Sequence, residues 1–280
     1  MNTFRLAIPI ATLIAAATLA GCAGEIGQTR TEIINVPKPE NRAQPWDVEL
    51  NLGTASAVVG STAEGLVQGT IEYNVDSLKP YVTLGERRVQ IGQDFKGVLP
   101  PNSRNDWRLQ LGRGVPINLA INTGASSGEW ELGGLSLRRL NWTQGAADAT
   151  IKFSQPNPER LDNFTINGGA ASITMRGLAN ANIRVGNITS GAGSLTLVFD
   201  GQLAGDADIT LDGGVSAITI YSGGNPIQLT SEGALKTIDS KGWIQSDTQY
   251  YSPEWSILSR PTITIRARVA AAALQLIVGR

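Results

Sequence analysis

Histidine is absent from this chain of 280 residues, and cysteine occurs once, at Cys22. Histidine is the commonest metal ligand and general base, so its absence excludes a Ser-His-Asp triad, a Cys-His pair and a His-ligated zinc site. Carboxylates, lysine, tyrosine and serine remain for chemistry. We therefore expect no catalytic residue, no metal site and no cofactor, and we expect that the protein is not an enzyme. Because a lone cysteine cannot form an intrachain disulfide, stability must come from burial and strand pairing.

An excess of charge of either sign is also missing. The chain has 23 Lys and Arg against 24 Asp and Glu, which gives a formal net charge of −1. Such a balanced chain creates no strong field that would attract nucleic acid or an anionic lipid. We therefore expect no nucleic-acid partner.

The first 21 residues have the layout of a secretory signal. They carry Arg5 and no acidic side chain, and they continue into an apolar run at 6–20. An uncleaved membrane anchor is the alternative, but the run is shorter than the ~20 apolar residues of a spanning helix and Pro9 interrupts it.

The apolar run ends in Leu19, Ala20 and Gly21, directly before Cys22. This ending resembles the lipobox of bacterial lipoproteins, in which the cysteine receives a diacylglycerol. We therefore predict a signal peptide at 1–21 and lipidation of Cys22. The partner at this end would be the bacterial cell membrane, to which the lipid attaches an extracytoplasmic protein.

The residues at 22–46 are predicted to form a polar tether between the lipid and a domain at 47–280. Three prolines in this stretch suit a semi-rigid linker. A short leading strand is expected within it, at 31–36.

A recurring Gly-Ala or Gly-Val phrase organises the middle of the chain. Successive phrases are 21, 24, 22 and 23 residues apart, and they begin at Gly124, Gly145, Gly169, Gly191 and Gly214. On both sides of each phrase, apolar and polar residues alternate with the period of two expected of strands with one buried face. The apolar residues three positions before each glycine are Ile121, Trp142, Ile166, Ile188 and Leu211. Each glycine then marks a corner where φ is positive or where backbones approach closely.

One bent pair of short strands cannot bury its apolar face alone, whereas stacked pairs share a continuous core. We therefore predict an all-β, single-domain β-solenoid in which each repeat of 21–24 residues forms one rung. An antiparallel sandwich is the alternative, because Asn167-Gly168 is typical of a hairpin turn. A leucine-rich repeat would need a leucine-dense consensus that the chain lacks.

The ends of the predicted stack follow the pattern less cleanly. The segment at 48–59 is expected to be the first rung, and the segment at 263–276 is expected to be the last rung, ending in a buried closing strand. The segment at 72–107 lacks the alternation and contains three prolines. It is expected to be a lateral excursion from the stack.

The phrases at 48–276 resemble, in their order, those of the bacterial toast-rack family. They are VELNLG at 48–53, EGLVQGTIEYNV at 64–75, NDWRL at 105–109, VPINL at 115–119, the Gly-Ala corners, and ITI at 263–265. The resemblance implies a β-solenoid domain of unassigned function in envelope proteins, related to membrane proteins of cell-wall stress responses, and it implies no catalytic residue. The sequence departs from the family pattern at 270–273, where alanines replace the usual Gly-rich corner.

Three acidic residues, Asp206, Asp208 and Asp212, are the place to look for glycan cleavage, because parallel β-helices include glycan-cleaving enzymes. On a strand, Asp206 and Asp208 would point the same way about 6.6 Å apart, near the spacing of an inverting carboxylate pair. Asp208 also falls in an outward column of the repeat. The preferred interpretation is a solvated face.

Four aromatic residues, Trp243, Tyr250, Tyr251 and Trp255, crowd the loop at 240–260. Exposed rings can stack on sugars or anchor a protein partner, which makes these residues candidates for binding. Aromatic side chains usually bury, so the preferred interpretation is that they plug the end of the solenoid.

The sequence is therefore best interpreted as a lipid-anchored cell-envelope scaffold or interaction protein, with an envelope protein or a cell-wall glycan as partner. The alternative is a carbohydrate-binding or carbohydrate-cleaving β-helix acting on cell-wall polymers. A link to envelope stress is implied by the family resemblance alone.

Overall fold

The computed structural model describes residues 25–95, 99–146, 148–214, 216–233, 237–256, 261–270 and 273–279. Within these residues the chain forms strands and three short 3₁₀ helices but no α-helix, which confirms the all-β prediction. None of the described helices is long and apolar enough to cross a membrane. The strands are β1 (Ile26–Val36), β2 (Trp46–Leu52), β3 (Ser56–Thr62), β4 (Val67–Val75), β5 (Tyr81–Leu84), β6 (Arg88–Gly92), β7 (Asn105–Gly112), β8 (Pro116–Thr123), β9 (Ser127–Glu131), β10 (Ser136–Gln144), β11 (Asp148–Lys152), β12 (Asn163–Arg176), β13 (Val185–Val198), β14 (Ala207–Gly213), β15 (Ser216–Tyr221), β16 (Ile227–Glu232), β17 (Thr237–Asp239), β18 (Ile244–Ser246), β19 (Gln249–Tyr251), β20 (Ile263–Val269) and β21 (Ala273–Ile277). The 3₁₀ helices are Asp76–Leu78, Leu178–Ala181 and Pro253–Ser256.

The strands form two faces that meet at the Gly-Ala corners. The first face has the order β5, β6, β2, β8, β10, β12, β13, β14, β20, β16, β19, β18. The second face has the order β1, β4, β7, β3, β9, β11, β12, β13, β15, β21, β17. The long strands β12 and β13 pass through the corner and belong to both faces.

The central strands pair in parallel, and not as the hairpins of an antiparallel sandwich. Their registers align the columns that the sequence pattern predicts. On the first face, one column of paired residues is Ile121, Trp142, Ile166, Ile188 and Leu211. On the second face, one column is Gly128, Ala149, Ile173, Leu195 and Ile218. Because side chains alternate along a strand, these columns point inward and the polar residues between them point outward.

The corner glycines are required by close backbone approach. A Cβ on Gly145 would lie 2.8 Å from the carbonyl oxygen of Gly124, and a Cβ on Gly169 would lie 2.8 Å from the carbonyl oxygen of Gly145. The same distance recurs between Gly191 and Gly169, and none of these glycines has a positive φ. Glycine therefore allows successive corners to stack at the strand spacing of about 4.8 Å.

A continuous apolar core fills the space between the two faces. Trp130 and Trp142, which lie in apolar columns of the repeat, pack edge to face with ring centroids 4.6 Å apart and planes at 66°. Both are fully buried, as are Phe153, Phe164 and Phe199. Burial of one such side chain contributes roughly 1.5–3 kcal/mol, so the stack is held together without disulfides.

The order of the rungs in space differs from their order in sequence at both ends, which corrects three predictions. The predicted first rung, formed by β2 and β3, is second in the stack, because β6 and β7 pair outside it. The segment at 72–107 therefore contributes the outermost rung and is not a lateral excursion. The predicted last rung, formed by β20 and β21, is inserted between β14–β15 and β16–β17.

Antiparallel strands cover the outer edges of three of the four strands in these terminal rungs. β5 pairs with β6, β4 pairs with β7, and β19 pairs with β16. Covering an edge prevents its unpaired backbone groups from recruiting another chain.

Strand β1 lies within the segment predicted to be a tether. It pairs with β4 and begins at Ile26, five residues before the expected leading strand at 31–36. Its last part buries Ile34 and Val36 in the core. At 26–36, the segment predicted to be a tether is therefore a strand of the folded domain.

Candidate interaction surface

The outward side chains of the first face form polar columns that cross the stack. The middle column is Gln90, Glu49, Ala120, Asn141, Thr165, Asn187, Thr210, Arg266, Thr230 and Gln249. Neighbours in the flanking columns bond to one another: the Nδ2 atoms of Asn118 and Asn122 donate to Asp47 and Asn51, each at 2.8 Å. The first face is thus an extended hydrogen-bonding surface on a rigid sheet.

A β-bulge in β10 interrupts these columns at Arg138. Relative to β8, Leu137 pairs with Ile117 and Arg139 pairs with Asn118, so Arg138 is the additional residue. Arg138 and Arg139 are consequently both exposed. Bulges re-aim side chains and are frequent beside functional sites.

The buried amide of Asn157 holds the bulge in place. Its Oδ1 accepts a hydrogen bond from the backbone N–H of Leu137 at 2.9 Å, and its Nδ2 donates to the carbonyl oxygen of Leu137 at 2.8 Å. Asn157 is 3% exposed. Leu137 pairs with β8 but has no partner on the side of β12, whose pairing with β10 begins at Arg139. Because an unpaired buried backbone group is costly, the amide of Asn157 takes the place of that partner.

A shallow cleft of about 240 Å³ lies beside the bulge, on β6, β2, β8 and β10. Its floor is Ala120, the smallest side chain of the middle column. The lining residues are Asp47, Val48, Glu49, Arg88, Asn118, Leu119, Ala120, Arg139 and Asn141. We call this feature the Ala120 cleft.

One wall of the Ala120 cleft is a neutralised ion pair. Glu49 Oε2 accepts a hydrogen bond from Arg88 Nη2 at 2.5 Å, and Glu49 Oε1 accepts one from Asn51 Nδ2 at 2.9 Å. Partial burial raises the pKa of Glu49, but the hydrogen bonds from Asn51 and Arg88 and the charge of Arg88 outweigh it and lower the pKa below its usual value. Glu49 is therefore an ionised side chain whose charge Arg88 already balances.

The opposite wall has polar groups without partners. Arg138 forms an ion pair with Glu159 at 3.2 Å, whereas the guanidinium group of Arg139 has no ion pair or hydrogen bond with any residue that the structure describes. Within the same residues, the amide of Asn141 is also without a partner, and so is the Oδ2 atom of Asp47, which lies across the cleft on β2, the strand that carries Glu49. The cleft thus presents a cation, an amide and a carboxylate oxygen.

Sequence reasoning did not find this cleft. A signal was present, because Leu137-Arg138-Arg139-Leu140 places two charged residues between apolar ones and so breaks the alternation. The contribution of Asp47 could not be predicted from the sequence around β10, because β2 and β10 are separated in the sheet by β8.

Two of the three acidic residues considered for catalysis are tied to neighbouring strands or loops. The Oδ1 atom of Asp206 accepts a hydrogen bond from the backbone N–H of Thr262 at 2.8 Å. Asp212 accepts two hydrogen bonds from Arg268, at 2.9 and 3.0 Å. Asp208 is exposed in an outward column. This arrangement fits the preferred interpretation of a solvated face.

The four aromatic candidates divide into two pairs. Trp243 and Tyr250 are 7% and 5% exposed and belong to the core at the end of the stack. Tyr251 and Trp255 are half-buried, with ring centroids 5.5 Å apart. Tyr251 pairs with Ile244, which is 61% exposed. Tyr251 and Trp255 are therefore the two candidates that present rings at the surface.

The predicted lipid-attachment residues, Leu19, Ala20, Gly21 and Cys22, lie outside the described residues. Lipidation of Cys22 and the signal peptide at 1–21 stay predictions. The described part of the chain begins at Glu25.

The chain was compared with known proteins. A family model, the N-terminal domain of toast_rack (DUF2154), matches residues 25–176, which include the whole Ala120 cleft. No curated protein matches. A crystal structure of a candidate cell adhesion protein from Clostridium sporogenes is similar, with 17% identity and a TM-score of 0.54 over 90% of this chain and 100% of that chain. Candidate adhesins from Parabacteroides distasonis and Bacteroides fragilis, each 10% identical over 89% of this chain and 97% of theirs, have TM-scores of 0.41 and 0.35. The first of these similarities shows a shared fold.

Proposed function

The chain belongs to the toast-rack family, and from this premise we propose that it is a lipid-anchored, non-catalytic interaction protein of the bacterial cell envelope. We also propose that its domain is a β-solenoid with rungs of about 21–24 residues in the central part. The observation that carries the proposal is the continuous polar first face, on which outward side chains of successive strands lie in register. Such repeat surfaces are extended and suit the binding of a partner.

The location outside the cytoplasm has support from the shared fold. The similar protein from Clostridium sporogenes is a candidate cell adhesion protein, and adhesion requires a surface that meets partners outside the cell. Family membership also motivates a link to envelope stress. That link predicts that deletion of the gene changes growth inhibition by antibiotics that act on the cell wall, and unchanged inhibition would contradict it.

Lipid attachment at Cys22 would hold one end of the stack close to the membrane. Strand β1 begins at Ile26, four residues after Cys22, and four residues span at most about 14 Å. Through β4, β1 joins the end of the stack formed by β6 and β7. The end that carries Tyr251 and Trp255 is then the one farther from the anchor.

The anchor is tested by Cys22→Ser in the full chain, expressed in a bacterial host with a labelled fatty acid. We expect the variant to lose the label and to leave the membrane fraction. Gly24→Ser, which changes a neighbouring residue and keeps the cysteine, should behave like the wild type. A wild-type chain without label, or a variant that fractionates with the membrane as before, would contradict the proposal.

The non-catalytic part of the proposal is tested with peptidoglycan and wall polysaccharide as substrates. The purified chain should release no reducing ends at any pH, and Asp206→Asn should leave this result unchanged. Turnover that disappears in Asp206→Asn would make the protein an enzyme.

A second candidate function is carbohydrate binding at the far end of the stack, which the half-buried pair of Tyr251 and Trp255 favours. Sugar rings can stack on the exposed part of such aromatic rings. Replacing both residues with alanine should abolish retention on peptidoglycan while the far-UV circular dichroism is unchanged. Tyr221→Ala, which removes a half-buried aromatic ring from the second face, is the matched control.

A further inference from the structure

We propose that the Ala120 cleft binds a carboxylate-bearing sugar residue, such as a uronic acid within a polysaccharide. This inference deepens the proposed function and rests on it in one respect, that the first face is a binding surface. It does not depend on lipid attachment or on the aromatic pair at the far end.

The cation of the cleft selects for a carboxylate. Arg139 has no carboxylate partner within the described residues, whereas Arg88, Arg138 and Arg268 pair with Glu49, Glu159 and Asp212. A guanidinium group binds a carboxylate through two parallel hydrogen bonds. The free amide of Asn141, two residues along the same strand, can donate a further hydrogen bond to the same ligand.

The acidic side of the cleft selects for hydroxyl groups. Asp47 Oδ1 accepts a hydrogen bond from Asn118 at 2.8 Å, and its Oδ2 remains open. An ionised carboxylate accepts hydrogen bonds and donates none, so its ligand must bring a donor. A sugar hydroxyl provides one. A phosphate group brings a larger negative charge than a carboxylate, and Asp47, which has no cationic partner within the described residues, would repel it more strongly.

The size of the cleft fits one sugar unit. Its volume of about 240 Å³ is below the roughly 300–1,000 Å³ of sites for drug-sized ligands. The space exists because Ala120 stands between Glu49 and Asn141 in the middle column. The outward side chains of the neighbouring strands continue on both sides of the cleft and can contact the rest of a polymer.

The site is held in shape before any ligand arrives. The bulge fixes Arg139 on the outer surface, and the buried amide of Asn157 fixes the bulge through both polar backbone groups of Leu137. Asp47 and Asn118 orient each other across adjacent strands. Preorganisation of this kind lowers the entropy that binding must overcome.

The proposal is tested by calorimetric titration of the full chain, solubilised in detergent, with sodium glucuronate, glucose and sodium acetate as probes. We expect glucuronate to bind at least tenfold more tightly than either glucose or acetate, because glucose lacks the carboxylate and acetate lacks the hydroxyl groups. Binding should weaken as the salt concentration rises.

Two variants and one control locate the site. Arg139→Gln should weaken glucuronate binding at least tenfold, and Ala120→Leu should abolish it by filling the floor. Arg266→Gln makes the same charge change on the same face, four strands away from β10, and should bind within twofold of the wild type.

Several results would overturn the inference. They are an absence of glucuronate binding, equal binding of acetate, or equal weakening by Arg139→Gln and Arg266→Gln. Any of them leaves the fractionation of Cys22→Ser untouched, so a failure of this site is distinguishable from a failure of the proposed function.

Discussion

Replacing Gly169 with alanine tests whether backbone contact is the reason for the corner glycines. A Cβ at this position would lie 2.8 Å from the carbonyl oxygen of Gly145 and 3.6 Å from that of Gln144. The nearer oxygen belongs to the backbone of the adjacent rung, which parallel pairing holds in place. The two corners must therefore separate by roughly half an ångström before the contact becomes an ordinary one.

The expected effect of Gly169→Ala follows from two opposing terms. Overpacking costs about 1–3 kcal/mol, whereas the lower entropy of the unfolded alanine chain offsets about 0.4–1 kcal/mol. We expect a net loss of roughly 1–2 kcal/mol in the free energy of unfolding. A domain of this size shifts its melting temperature by about 2–4 °C per kcal/mol, so the variant should melt about 2–8 °C below the wild type.

Gly168→Ala is the matched control, one residue away. Its Cβ would meet the Cδ1 methyl of Ile173 at 2.9 Å, which side-chain rotation can relieve, and the carbonyl oxygen of Thr189 at an ordinary 3.7 Å. We expect its stability to change by less than about 1 kcal/mol. Thermal unfolding followed by far-UV circular dichroism measures both variants. Equal losses, or no loss in Gly169→Ala, would refute the explanation of the corners by close approach.

Three further predictions, the first with a control variant on the second face, concern the packing and the electrostatics of the stack. Ile188→Asp should unfold at least the adjacent rungs, because it places a charge without a partner at a position that is 1% exposed. Thr196→Asp, in an outward column, should melt within a few degrees of the wild type. Equal destabilisation by the two substitutions would mean that the inward and outward assignments are wrong. The pKa of Glu49 is lowered from its usual 4.5, so its ionised form stabilises the fold above that pH, and the contribution is lost as the pH falls through the lowered pKa. Glu49→Gln should therefore flatten the acid side of a plot of melting temperature against pH, and an unchanged plot would contradict the assignment. Asn157→Leu should lower the free energy of unfolding in urea by about 1–3 kcal/mol, because it leaves buried backbone groups without partners.

The central register could be predicted from the sequence because two local signals agree there. The period of two decides which residues point inward, and the corner glycines fix where each repeat starts. Ile166 and Ile188, 22 residues apart in sequence, are direct neighbours in the sheet for that reason. No assumption about distant segments is needed in this part of the chain.

The ends could not be predicted in the same way, because local alternation does not specify which strand is the next neighbour. Strand β20 has the apolar pattern of a rung, but nothing within it indicates that it pairs with both β14 and β16. In the assembled sheet, the antiparallel strand β19 covers the outer edge of β16. Edge protection is a property of the assembled sheet and leaves no periodic signal.

Strict register places the outward side chains of the first face in regular columns, so a distinct binding site is expected where the repeat is interrupted. The face has such an interruption where the bulge at Arg138 meets the small side chain of Ala120. Neither feature would suffice alone, since a bulge without a cleft only exposes an additional charge, and a cleft without Arg139 has no unpaired cation. Their coincidence depends on the pairing of β8 with β10, which brings together residues that are distant in sequence. The regularly paired strands on both sides then hold the Ala120 cleft in a fixed shape. Their outward polar side chains can form hydrogen bonds with the rest of a longer polymer.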